Sequence, residues 1–420
     1  MKPYDVVGIG FGPSNLCLAI ALQECGREVS VTFLEKQASL SWHSGMLVPS
    51  AKMQVSFLKD LATLRNPVSS FSFVSYLHDT GRLVRFVNNG DFFATRREFQ
   101  DYLRWAEARL TGPVQYNSEV LAVDRPDGGD VLRVHVRNTG SGTIRYVHAR
   151  NIVISTGLVP RMPVGLQDGE LIWHSSQFAH RFRALGDRDV RQVAVVGAGQ
   201  SAAEIVRFLH DNLPAAEVSA IMPSYGYAIA DNTPFANEVF DPAAVDIYYD
   251  GSDKAKEAVW RYHRNTNYSV VDDEVIRGLY QRAYDDEVRG APRLRFVNLT
   301  RVVGAKQDGD AVVLSLHSLE TDQAYDTRVD VVVCATGYSP MDPTQLLTGL
   351  GCEPAYDALG RYRVDRDYSL VTEPELPCAI YLQGGTEHTH GLSSSLLSNI
   401  AVRGGEIADS ILRRQNGVSA

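Results

Sequence analysis

The stretch Tyr4–Asn15, YDVVGIGFGPSN, decides the fold. It is an apolar run that ends in Gly8-x-Gly10 and opens a helix-like segment, about Ser14–Glu24. Leu16, Ala19, Ile20 and Gln23 fall on one face of that segment, and Gly26 is its expected stop. A second strand, Val29–Leu34, follows and ends at Glu35. Gln192–Ala203, QVAVVGAGQSAA, repeats the pattern with Gly197-x-Gly199, a helix about Ser201–Asp211 and a strand Val218–Met222 before Pro223. Two β-α-β units on one chain predict an α/β protein with two Rossmann-like dinucleotide-binding domains.

Each glycine turn carries its own chemistry. Gly8 is expected to permit the tight turn, and Gly10 to let the backbone approach a pyrophosphate at a helix N-terminus. Pro13 stands where a third glycine is usual, and the first helical turn tolerates it because its N–H is not needed there. Glu35 can accept hydrogen bonds from both ribose hydroxyls and would repel a 2′-phosphate, so the first unit suits FAD. In the second unit Gly197, Gly199, Gln200 and Ser201 form the turn and helix start, with Ala202 at the third position. The next strand ends in Ile221-Met222-Pro223-Ser224, with no carboxylate and no arginine. That absence admits a 2′-phosphate and points to NADPH. A flavin reduced by a nicotinamide follows from having both sites.

The rest of the chain is read around these units. It has 420 residues, 44% hydrophobic and 22% charged, which is ordinary globular composition. The net charge of −9 argues against a general nucleic-acid binder. No apolar run reaches the roughly 20 residues of a membrane span, and the N-terminus does not read as a signal peptide. The five cysteines include no C-x-x-C pair, so a disulfide scaffold, a zinc knuckle and a dithiol reductase are all disfavoured and a cytoplasmic location fits. Two more strands end in small residues, Asn151–Gly157 (NIVISTG) and Asp330–Tyr338 (DVVVCATGY). Glu119–Val123, Val131–Val136, Phe296–Val303 and Ala311–Leu316 read as antiparallel strands of covering layers. Phe235–Asp286, with helical spacing at Ala258, Tyr262, Val275 and Leu279, reads as a small helical insertion, and Leu392–Arg414 as one C-terminal helix. The expected division is an FAD domain of 1–158 and 331–420, an NADPH domain of 159–232 and 290–330, and a substrate-binding insertion of 233–289.

Several separated motifs resemble the flavin-dependent N-hydroxylating monooxygenases, most of all the L-ornithine N-monooxygenases of siderophore and peptide pathways. They are GIGFGPSNLCLA (Gly8–Ala19), W-H-x-G-M-L (Trp42–Leu47), MQVSFLKDLATLRNP (Met53–Pro67), GAGQSAAE (Gly197–Glu204), PFANEVFDP (Pro234–Pro242), NTNYS (Asn265–Ser269), the CATGY segment and HTHGLSSSLLS (His388–Ser398). The resemblance implies hydroxylation of a side-chain amine with O2 and NADPH through a C(4a)-hydroperoxyflavin, in a homotetramer. L-Lysine or a diamine such as putrescine is the alternative substrate. It implies that Lys59 pairs with the substrate carboxylate, and that Gln54, Asn237 and Asn267 position the substrate. It places Trp42, His43, Met53, Gln54, Gly337 and Leu392 against FAD. Ser175, Ser176, Asn267, Ala335 and Thr336 fall to the nicotinamide dinucleotide, with His174 in the same segment. No acid–base side chain stands out, and His388-Thr389-His390 lacks the spacing and third partner of a metal site. Cys334 reads as a buried, inert thiol. The chain departs from the family's usual pattern at Pro223, Cys334 and Ser394.

Overall fold

The computed structural model describes residues 2–49, 51–126 and 128–415. Two sheets organise the chain. In the first, Tyr4–Ile9 lies between Val31–Leu34 and the long strand Ile144–Ile154, all parallel where they pair. Ala379–Leu382 adds a further parallel strand beyond Ile152. In the second, Gln192–Val196 lies between Glu217–Ile221 and Val331–Cys334, flanked by Leu294–Val297 and Ile172–His174, every pairing parallel. The chain crosses between the sheets twice, and the crossings, Leu158–Pro160 and Tyr338–Pro340, pair with each other antiparallel.

The strand Ile144–Ile154 does two jobs. Its first half pairs antiparallel with Leu132–Asn138, and its last residues pair with the two parallel neighbours. Asn151 marks the change: its buried amide donates to Asp5 O at 3.0 Å and accepts from Ala379 N at 3.2 Å, joining three strands. Ser118–Asp124 and Leu132–Asn138 therefore extend the first sheet rather than forming the covering layer expected. A separate antiparallel sheet does exist, built from Thr300–Asp308, Ala311–Ser318 and Gln323–Val329. The single strand expected over Phe296–Val303 is two strands. Leu299 takes a positive φ of 47° and turns the chain from one sheet into the other.

Helix starts follow local chemistry. The first helix is Pro13–Glu24, with the proline at its first position, where an N–H is dispensable. The second glycine turn opens Gln200–Asn212. Helices Phe73–Asp79, Leu83–Asn89 and Arg96–Glu107 were not expected. Two of them are well signed: Ser72 caps the first through Ser75 N, and Thr95 caps the third through Glu98 N. They bury Phe73, Tyr76, Phe99, Tyr102 and Leu103 beside the first sheet.

The insertion is helical, over Pro234–Asn237, Pro242–Tyr249, Asp253–His263 and Asp273–Val288. Its third helix buries no residue, so Tyr262 is exposed rather than core-facing. The expected helix Leu392–Arg414 begins only at Ile400. Before it lie two 3-10 turns, Leu392–Ser395 and Leu397–Asn399. Serine hydroxyls compete with helical bonding here: Ser394 Oγ accepts from Thr386 N at 3.2 Å and Ser395 Oγ from Gly385 N at 3.3 Å. Helix Ile400–Gln415 then packs on Pro13–Glu24. The approach needs Gly404, where a Cβ would stand 2.9 Å from Cys17 Sγ and 3.3 Å from Leu18 N. Among the described residues no helix is long and apolar enough to cross a membrane.

Candidate active site

The two glycine turns repeat one geometry. Gly10 donates its N–H to Leu34 O at 2.8 Å, and Ser155 N bonds Ile9 O at 2.8 Å. Gly10 has φ +83°, and a Cβ there would lie 2.5 Å from Ser155 O. In the second unit Gly197 donates to Ile221 O at 3.0 Å, and Ala335 N bonds Val196 O at 2.8 Å. Gly197 has φ +142°, and its Cβ would lie 2.3 Å from Ala335 O. So each turn folds over the end of a crossing strand, NIVISTG or DVVVCATG, at a distance that a side chain forbids. Gly8 differs from expectation: it sits under Phe33, whose ring a Cβ would meet at 2.2 Å, and serves packing rather than the turn.

Both turns open on one cavity of about 2350 Å3. That is well above the roughly 300–1,000 Å3 of a single drug-sized pocket, and it accommodates two dinucleotides. Neither helix N-terminus there has a side-chain cap, and neither has an acidic residue in its first turn. The free N–H groups suit phosphate oxygens. Gly10, Pro13, Glu35, Trp42, His43, Met53, Gln54 and Gly337 line the cavity, as do Gly197, Gly199, Gln200, Ser201, Ser175, Ser176, Ala335 and Thr336. Lys59, Asn237 and Asn267 line the same space. Gly8 is not on its wall, and Leu392 is buried behind it.

Glu35 is held by the turn it faces. One carboxylate oxygen accepts Phe11 N at 2.8 Å and the other accepts Gln37 N at 2.8 Å. Each keeps a lone pair for a ribose hydroxyl. Lys59 makes no ion pair among the described residues, so its ammonium is free for an incoming anion. Asn237 donates to Asn232 O at 3.0 Å, which fixes the amide and leaves its carbonyl oxygen available. The W-H-x-G turn and the His174–Ser176 segment meet: a Cβ on Gly45 would stand 1.9 Å from Ser176 O. His174 is buried, bonded to Ser176 Oγ at 3.0 Å and Gly337 O at 3.0 Å, and burial lowers its basicity.

A polar chain that the sequence did not disclose ties three regions together. Arg96, from a helix beside the first sheet, forks onto Glu204 of the second glycine helix at 2.7 and 3.1 Å. Gln200 reaches Glu204 at 2.9 Å and Asp272 of the insertion at 2.9 Å. Asp272 then accepts from Gln54 at 3.2 Å. The sequence missed Arg301 as well. Thr300 N bonds Met222 O at 3.0 Å, so the residue after it stands beside Pro223 on the cavity wall. An arginine thus reaches that strand end from a neighbouring strand, which spacing within one β-α-β unit cannot reveal.

The reactive-looking side chains elsewhere are quiet. Burial pushes the Cys334 thiol up to about 12, and its side chain is fully covered. His388 Nε2 bonds Tyr362 O at 2.7 Å, and His390 bonds Thr389 Oγ1 at 2.8 Å and Arg366 O at 3.2 Å. Among the described residues no group of His, Cys, Asp and Glu could hold a metal ion.

Two uncapped glycine-turn helices on a shared cavity define a two-dinucleotide enzyme of the flavoprotein class. The chain belongs to the L-lysine 6-monooxygenase/L-ornithine 5-monooxygenase family, whose profile matches residues 2–340. It is similar to the L-ornithine N(5)-monooxygenase of Pseudomonas aeruginosa, at 39% identity over 97% of this chain and 93% of that one. Among solved structures it is similar to an ornithine N-hydroxylase from Kutzneria sp. 744, solved with reduced FAD, NADP+ and L-ornithine. The identity is 64% over 99% of this chain and 100% of that chain, with a TM-score of 0.96. The ornithine hydroxylase structure from Pseudomonas aeruginosa in its reduced form matches at 38% identity, covering 99% of this chain and all of that one, with a TM-score of 0.92.

The Arg96–Glu204 pair is nearly dry, its side chains 12% and 1% exposed. Removing one partner leaves a buried charge alone, at a cost of about 3–5 kcal/mol. Glu204→Leu should therefore lower the urea midpoint more than the double change Arg96→Leu with Glu204→Leu. A double variant less stable than either single one contradicts the pairing.

His390 gives a pH signature. Burial and the nearby Arg366, Arg403 and His388 pull its pKa from 6.5 down to about 3. The unfolded chain takes up this proton below about 6.5, whereas the folded chain does so only near 3. Stability should fall as pH drops through that window. His390→Phe should flatten the fall in urea melts taken from neutral pH downward.

Proposed function

We propose that this protein hydroxylates the side-chain amine of L-ornithine, using O2 and NADPH with FAD as the resident cofactor. The observation that carries the reading is one cavity shared by two uncapped glycine-turn helices and an unpaired lysine. The ornithine enzymes matched over nearly the whole chain support it. In this reading residues 1–158 and 331–420 hold FAD, 159–232 and 290–330 hold NADPH, and 233–289 close over the substrate. The product, N-hydroxyornithine, is a building block for siderophores or other nonribosomal peptides, made in the cytoplasm by a homotetramer.

When bound, the flavin supplies the activation of oxygen. The chain supplies the rest. Glu35 holds the adenosine ribose of FAD, and the N–H groups after Gly10 hold its phosphates. Gly199, Gln200 and Ser201 do the same for NADPH, with Ser175, Ser176 and Thr336 along its length. Met53 and Trp42 face the flavin ring and keep water from it. Lys59 binds the substrate carboxylate, with Gln54, Asn237 and Asn267 orienting the backbone of the amino acid. The amine reacts only as the free base, and in water it resembles lysine, with a pKa of about 10. Enclosure in a partly apolar cavity disfavours its protonated form.

The test is hydroxylamine formation with ornithine, lysine and putrescine. Ornithine should couple NADPH oxidation to product, and equal coupling with lysine or putrescine would displace the substrate assignment. A charged hydrogen bond is worth about 1.5–3 kcal/mol. Lys59→Ala should therefore raise the KM for ornithine by about 10- to 100-fold while barely changing the KM for putrescine, which has no carboxylate.

Arg301 is the guanidinium for the 2′-phosphate in this reading, replacing the one absent at Pro223. Arg301→Ala should raise the KM for NADPH by about tenfold or more and leave that for NADH unchanged. A parallel rise for both nucleotides would remove Arg301 from this role.

A further inference from the structure

Among the described residues one buried guanidinium takes no part in the contacts described so far. Arg403 lies in the first turn of the C-terminal helix Ile400–Gln415 and is only 2% exposed. It makes no salt bridge among the described residues. One guanidinium nitrogen donates to Ser394 O, and another donates to Ser14 Oγ at 3.3 Å. Among the described residues its Nε has no partner. The acidic groups that attract it from farther off are engaged elsewhere. Glu406 holds Arg366 at 2.8 Å, and Glu387 accepts from Ser395.

The fold places this cation deliberately. Gly404 has no side chain to hold the helix off Cys17 and Leu18, so the C-terminal helix presses against Pro13–Glu24. That contact brings Arg403 to Ser14, the second residue of the helix whose N-terminus faces the cavity. Arg403 itself lines the cavity beside Gly12, Pro13 and Ser14. Three features aimed at anions therefore coincide: an uncapped helix N-terminus, a hydroxyl, and a guanidinium kept from water. Burying an unpaired charge is costly. Burial presses the Arg403 pKa downward, yet an arginine does not give up its proton in a protein. Beside the second glycine helix, by contrast, Arg96 is neutralised by Glu204.

We infer that Arg403 is the buried counter-charge of the FAD pyrophosphate, acting through Ser14 and the helix N-terminus as a positioning residue rather than a catalytic one. The inference rests on the reading of the first glycine unit as the FAD site. It carries a consequence that a structural arginine would not. The charge opposes the stability of the flavin-free chain and favours that of the loaded one.

The experiment uses the full-length chain stripped of flavin, with FAD affinity read by fluorescence quenching and melting temperature read with and without FAD. Two neutral replacements are compared. Arg403→Met fills the space, and Arg403→Gln also keeps a donor for Ser394 O. Both should weaken FAD binding by about tenfold or more and shrink the rise in melting temperature that FAD produces. Neither should lower the melting temperature of the flavin-free chain, and Arg403→Met should raise it. Arg403→Lys, which keeps the charge, should retain most of the affinity. Should Arg403→Met fail to fold, Arg403→Gln and Arg403→Lys still separate charge from packing. Unchanged FAD affinity in Arg403→Gln overturns the inference, as does an equal loss of melting temperature with and without FAD. A parent chain that takes up no FAD overturns the functional reading as well, whereas a parent that binds FAD no better than Arg403→Gln overturns this inference alone.

Discussion

The architecture depends on a close approach of backbone to backbone. At Gly10 and again at Gly197 the chain must pass over the carbonyl end of a crossing strand within 2.5 and 2.3 Å of where a Cβ would be. Only then can the next helix start with its N–H groups aimed outward rather than into the sheet. Each turn alone makes a phosphate cradle. What makes a site is that both crossing strands continue into the linkers Leu158–Pro160 and Tyr338–Pro340, which pair with each other. The linkers join the two cradles across the lining of one cavity.

That arrangement needs the walls to stay in register, and the polar chain from Arg96 to Gln54 supplies the constraint. It passes through Glu204, Gln200 and Asp272, so it touches the first-sheet side, the second glycine helix and the insertion in turn. Gln54 and Gln200 are at once members of this chain and lining residues of the cavity. A shift of the second cradle is thereby transmitted to the segment that carries Lys59. Apolar packing holds each sheet together, but it lacks the directionality to fix three bodies about an open space.

Much of this was legible in the chain. The two glycine turns and their strands stand close to where periodicity and small residues put them, because local sterics dictate them. The site residues inferred from motif resemblance lie on one cavity, with Gly8 and Leu392 behind its wall. A further helix is signed in the sequence itself. Thr95-x-x-Glu98 has the spacing of a capping box ahead of Phe99, Tyr102, Leu103 and Ala106, a clear helical face, and its Thr95 half is the one formed. What could not be read locally was long-range. Arg301 reaches Pro223 only because two strands pair; the seryl 3-10 turns after Gly391 are medium-range, with Ser394 and Ser395 accepting from Thr386 and Gly385 earlier in the same loop. The helix expected at Leu392 was ruled out by partners supplied from elsewhere in the chain.

The distribution of cations completes the physical picture. A chain with a net charge of −9 that, in the proposed reading, binds two polyanionic cofactors and a carboxylate must concentrate positive charge where those groups would sit. It does so with single, differently managed residues rather than a basic patch. Arg96 is largely covered and neutralised by Glu204, and so holds the walls together without offering a free charge to phosphate. Among the described residues Lys59 and Arg301 have no ion-pair partner on the cavity wall, where a ligand can complete them at little cost in desolvation. Arg403 is buried and, among the described residues, has no ion-pair partner, so the anion inferred for it bears on the stability of the protein as well as on binding. Recognition of each ligand's charge is thus spread over side chains whose burial sets how strongly each depends on being occupied.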